Sequence, residues 1–138
     1  MELNRKIGVL TTRLLLGFIF LMQGFGKVFT WGIENVHNMP FFKESFNGIL
    51  PEFVTVATAY YTSYVELIGG LLLIIGFKKD LALYALASVL IIVTFGHGLT
   101  DPIWDLSHVM YRAMLLITLL LLPKEWDKYS IDNLIEKK

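Results

Sequence analysis

The chain has 138 residues, 55% of them hydrophobic and 17% charged, with a mean hydropathy of +0.60 and a formal net charge of zero. That length is room for one domain, residues 1–138, and the composition is too apolar for an ordinary water-soluble one. The absence of cysteine excludes thiol–disulfide chemistry and thiolate metal sites, and no phosphate loop, nucleophile elbow or nucleic-acid-binding module is present.

The apolar residues fall in four blocks, at 7–29, 53–77, 81–99 and 106–122. A helix needs about 20 apolar residues to cross the hydrocarbon core, and lipid admits only helices or closed barrels. The expected fold is therefore an all-α membrane protein, four transmembrane helices in an antiparallel bundle. In the first helix, Arg13, Gly17, Phe20, Gly24 and Lys27 are spaced 4, 3, 4 and 3 and share one face. The glycines invite another backbone to approach closely. Gln23 lies one turn from Lys27. Arg13 and Lys27 are expected to snorkel to opposite membrane surfaces. A basic start and an apolar run also describe a signal peptide, but this run is long, contains Arg13 and lacks a small-residue cleavage site, so it reads as a retained helix.

The connection 30–52, "TWGIENVHNMPFFKESFNGILPE", is too aromatic for a free linker. It reads as a surface or re-entrant segment, lying over the membrane surface or over the bundle mouth, with a short helix after Pro40 and a turn at "NGILP". In the second helix, Glu66 stands at the midpoint of the apolar block. A carboxylate at the bilayer centre costs about 2.5–3.5 kcal/mol, so a partner, a proton or water must offset it. Its same-face neighbours Thr62, Ser63, Gly69 and Gly70 are small or polar, which turns that face inward, while Tyr60, Tyr61 and Tyr64 suit an aromatic belt. "GFKKD" is a tight turn in which Asp80 is expected to cap the third helix. That helix ends in "FGHGLTDP", with His97 near the membrane surface. Asp105, His108 and Arg112 share a face at the start of the fourth helix. The tail 123–138 carries Trp126, Tyr129, Leu134 and Ile135 among charges, as an interfacial segment would.

Charge sets the orientation. Arg5 and Lys6, Lys78 and Lys79, and Lys124, Lys128, Lys137 and Lys138 all fall on one side after four crossings, while the connections holding Glu34, Lys43, Glu44, Glu52, Asp101 and Asp105 fall on the other. Basic residues mark the cytoplasmic side, so both termini are expected there. Gln23, Lys27, Tyr64, His97, His108 and Arg112 then lie in the outer half above Glu66, as a candidate ligand pocket. Glu66 is its floor, either ion-paired with Lys27 or Arg112 or carrying a proton. The plainer readings are a structural ion pair that fixes helix register, interfacial anchors for Lys27 and Arg112, and hydrogen-bonded surface imidazoles. His97, His108, Asp101 and Asp105 are ligand types for an outer metal site without a recognised spacing, and the two histidines are candidate haem ligands.

These residues carry a family resemblance. "RLLLGFIFLMQGFGKVF" (13–29) resembles the opening helix of DoxX-type membrane proteins, and "YVELIGGLLLIIGFKKDLA" (64–82) is similar to their second-helix motif of an acid, a glycine pair and a turn. "FGHG" (95–98) and "YSIDNLI" (129–135) resemble the family's late histidine and tail. The resemblance implies a four-helix inner-membrane protein. It also implies association with quinone-coupled oxidoreductases or redox-protective complexes, and for distant relatives membrane-protein assembly. The family's polar positions carry over to Arg13, Lys27, Glu66 and His97. The expected function is an accessory or quinone-interacting subunit of a membrane redox system; an assembly scaffold with a structural polar core is the alternative. Expected partners are the bilayer, other redox subunits and further copies of the chain, with no nucleic acid.

Overall fold

The computed structural model describes residues 1–102 and 106–137. Helices α1 (Glu2–Phe25), α2 (Ile33–Val36), α3 (Pro40–Lys43), α4 (Glu52–Ile75), α5 (Lys79–Thr100), α6 (Ser107–Leu121) and α7 (Ile131–Glu136) account for most of these residues, and no strand occurs among them. Three segments, Glu2–Thr30, Glu52–Ile75 and Lys79–Thr100, are long and apolar enough to cross a membrane. A fourth apolar helix, α6, is shorter at 15 residues.

The apolar blocks locate the long helices but not their ends. α1 begins at Glu2 rather than residue 7, because helical hydrogen bonding continues into a polar turn braced by a Lys6–Glu2 ion pair at 2.6 Å. At its far end α1 widens into a π turn, Gly26–Thr30, which re-aims the residues beyond it and carries Lys27.

α1 packs chiefly on α4. Gly24 meets Leu67, Gly70 meets Leu21 and Gly17 meets Ile74, so the two helices run antiparallel. A Cβ on Gly24 would lie 2.3 Å from the Leu67 amide nitrogen, and one on Gly70 2.4 Å from that of Leu21. Backbone stands on the other side of both contacts, so neither glycine has room for a side chain. α5 covers α4, and α6 lies against α1 and α5. Leu16, Phe20, Leu73, Leu83, Leu86 and Leu119 fill the core between them.

The α4–α5 turn is held by residues far away in sequence. Gly76 takes φ +69, and the Phe77 amide returns to the Leu72 carbonyl at 3.0 Å, the six-residue closure of a left-handed helix end. Arg13 was expected to snorkel to the surface; instead it is 1% exposed. Its Nη1 donates to the carbonyls of Leu73 and Ile74 at 2.7 and 2.9 Å, and its Nη2 to that of Tyr129 at 2.6 Å. The Leu73 and Ile74 carbonyls belong to the last turn of α4, at the negative end of its dipole. Asp127 stands 3.3 Å from Arg13 Nε and 3.2 Å from Lys79 Nζ.

The expected cap of α5 also changes. Asp80 lies inside the first turn of α5 and pairs with Lys124. The free amides of Lys78 and Lys79 donate to the two oxygens of Asp132, at 2.8 and 2.9 Å. The left-handed backbone of Lys78, φ 47, carries the chain into α5 with those amides facing α7. The tail is thus only partly an interfacial strip. Asp127 and Ser130 are buried in this junction, while Leu134 and Ile135 remain exposed.

Candidate functional site

At the opposite end from that junction lies a cavity of about 550 Å³. Its base comes from three helices: Gln23 of α1 with Lys27 of the adjoining π turn, Glu66 of α4, and Arg112 of α6. Thr55, Thr58 and Thr62 continue the polar strip along α4. The walls are apolar and largely aromatic, with Trp31, Phe41, Phe42 and Phe46 from the 30–52 connection and Ile92, Val93 and Phe95 from α5.

Glu66 is 1% exposed, and its partner is Lys27, whose Nζ donates to Oε2 at 2.6 Å. Arg112, the other candidate partner, is directed elsewhere. Its Nη1 donates to Gln23 Oε1 at 2.7 Å, its Nε to the His108 carbonyl, and its guanidinium lies 5.5 Å from the centre of the Phe20 ring. The Lys27–Glu66 pair therefore ties α1 to α4, and Gln23–Arg112 ties α1 to α6.

His97 lines the cavity with its ring stacked on Phe41, centroids 4.2 Å apart, and its Nδ1 hydrogen-bonded to the Val93 carbonyl at 2.9 Å. Phe41 also meets Phe42 and Phe46 edge-on, at 5.3 and 5.2 Å. The short helix after Pro40 thus supplies an aromatic cover whose position depends on α5.

Two residues expected in the pocket do not line it. Tyr64 is 41% exposed and belongs to the outer surface with Tyr60. It precedes Glu66 by two positions, which places it on nearly the opposite face of the helix. His108 is exposed in the first turn of α6 and is absent from the cavity lining. Only its carbonyl takes part, through Arg112. Of the candidate metal ligands, Asp105 lies outside the described residues. Among the described residues, no group of three or more histidine, aspartate or glutamate side chains is placed to hold a metal ion. Of the threonine strip the sequence marks only Thr62, on the Glu66 face, and the phenylalanine cover lies in the aromatic 30–52 connection read as a segment over the membrane surface or the bundle mouth.

A sequence model of DoxX matches residues 8–98, two thirds of the chain, from α1 almost to the end of α5. The chain belongs to the DoxX family. It is a membrane protein of DoxX type by that membership and by its apolar helices. No curated protein and no solved structure matches it. Within this DoxX protein, Gln23, Lys27, Glu66 and His97 fall inside the matched residues. Arg112 and the tail that binds Arg13 lie beyond them.

Proposed function

We propose that the protein is an inner-membrane subunit of a redox system, one domain over residues 1–138, whose cavity takes the headgroup of a quinone. In this reading α1, α4, α5 and α6 form an antiparallel four-helix bundle across the bilayer, the 30–52 connection dips back over the cavity, and both termini are cytoplasmic. α6 rises about 22 Å against a hydrocarbon core of about 30 Å, a mismatch that local bilayer thinning accommodates. The observation that carries the reading is the cavity itself. Hydrogen-bonding groups from three helices meet at one end of an aromatic-walled space of about 550 Å³, in the range of small-molecule sites. Such a space suits a flat apolar ring with polar oxygens. The protein holds no electron carrier of its own among its side chains, so electrons come from a partner subunit or bound cofactor.

Titrating the purified protein with a short-chain quinone is expected to give a saturable rise in melting temperature. A flat titration sinks the quinone reading and leaves the scaffold alternative. That alternative has its own support in the Lys27–Glu66 contact at 2.6 Å, a pair already satisfied without a ligand. Orientation has a separate test. Reporter fusions at residue 79 and after residue 138 are expected to report cytoplasm, and one at residue 47 the outside. A cytoplasmic signal at residue 47 turns the cavity to the wrong face of the membrane.

A further inference from the structure

The cavity base holds more positive than negative charge. Arg112 is 4% exposed, and its hydrogen-bond partners, the His108 carbonyl and the Gln23 amide, are both neutral. Those two bonds use two of the five N–H donors a guanidinium carries. Among the described residues no carboxylate pairs with Arg112. The acid that lines the cavity, Glu66, is held by Lys27 at 2.6 Å. Two cations therefore face one carboxylate. A guanidinium keeps its charge at any physiological pH, so a lost proton cannot restore the balance. A buried charge without a counter-charge is costly, and a phenylalanine face offers only weak compensation.

We infer that the cavity selects a membrane-soluble monoanion, a flat apolar body bearing one oxyanion that rests against Arg112 and completes the charge balance of the base. The inference rests on reading the cavity as a ligand site, and it adds the ligand's charge. An inorganic anion would satisfy Arg112 but would leave the aromatic walls facing nothing. A neutral ring would fill the walls and leave the guanidinium unbalanced. A ring carrying a delocalised enolate, phenolate or carboxylate does both, and the guanidinium fork matches such an oxyanion in plane.

The test compares two probes of one frame, 2-hydroxy-1,4-naphthoquinone, ionised at neutral pH, and neutral 1,4-naphthoquinone. Both are titrated by calorimetry into the full chain in lipid nanodiscs, with empty nanodiscs as the blank. The ionised probe is expected to bind about tenfold tighter or better, the size of one charge-assisted hydrogen bond in a dry site. Arg112→Gln keeps a side-chain amide beside Gln23 and is expected to abolish the preference; Arg112→Lys, which keeps the charge, is expected to retain part of it. Equal affinity of the two probes for the wild-type protein overturns the inference whether or not the variants fold, and leaves the ligand site standing. A preference that survives Arg112→Gln overturns it too. Binding of neither probe removes the ligand-site reading and this inference together.

Discussion

Glu66→Gln is expected to destabilise the protein by about 3 kcal/mol, and adding Lys27→Met to the same chain is expected to recover most of that loss. Breaking a buried ion pair by removing one partner costs about 3–5 kcal/mol because the other charge is stranded, whereas removing both is often close to neutral. The Lys27 side chain is 23% exposed and that of Glu66 2%, which orders the two single changes. Without Glu66, the Lys27 ammonium swings towards the cavity and keeps some water, so the loss lies at the low end of the range. Lys27→Met alone leaves the less exposed of the two charges, the Glu66 carboxylate, without its hydrogen-bonded partner and is the harsher change. Thermal melts of the two singles and the double in one detergent close the cycle. Additive losses in the double would show that the pair contributes nothing as a pair, and the scaffold reading would lose its main support.

Arg13→Met is expected to cost as much or more, about 3–5 kcal/mol, and to release the tail. The change removes the Arg13 donors from the Leu73, Ile74 and Tyr129 carbonyls, of which Leu73 keeps the Gly76 amide, and leaves Asp127 to Lys79 alone. Arg13→Lys is expected to restore little, since a single ammonium cannot reach carbonyls on α4 and on the tail with the spread of a planar fork. Limited proteolysis reads the tail directly. Faster cleavage between residues 123 and 137 is expected in Arg13→Met and not in Glu66→Gln. If the tail in Arg13→Met is cut no faster than in the wild type, Arg13 does not hold it.

Hydropathy located the helices because burial in lipid and burial in protein both demand unbroken apolar runs. It also placed Glu66 on a protein-facing surface, because its neighbours at helical spacing are Thr62, Ser63, Gly69 and Gly70. The choice of Lys27 over Arg112 as its partner was not legible. It depends on the π turn that re-aims Lys27 and on the Gln23 amide that occupies Arg112, and neither leaves a periodic mark in the sequence. Arg13 was misjudged for a similar reason. Its acceptors are backbone carbonyls 60, 61 and 116 residues away, and a carbonyl has no residue identity to read. The cap on α5 failed as a local inference because Asp132, 53 residues on from Lys79, outcompetes Asp80, two residues from Lys78. Tyr64 shows the reverse error. Its depth along α4 was reasonable, but depth without helical phase put it in a cavity that its face of the helix never reaches.

The junction at the α4–α5 turn also constrains the order of events during synthesis. α1, α4 and α5 all leave the ribosome before residues 127–133, yet Asp132 holds the first amides of α5, and Asp127 joins Arg13 to Lys79. Until those residues emerge, the Arg13 guanidinium and the uncapped start of α5 lie at the turn with their last partners still unmade. That end of the molecule is thus finished only after its helices have been made, and a nascent chain stalled before residue 127 exposes there the charges that the completed protein hides.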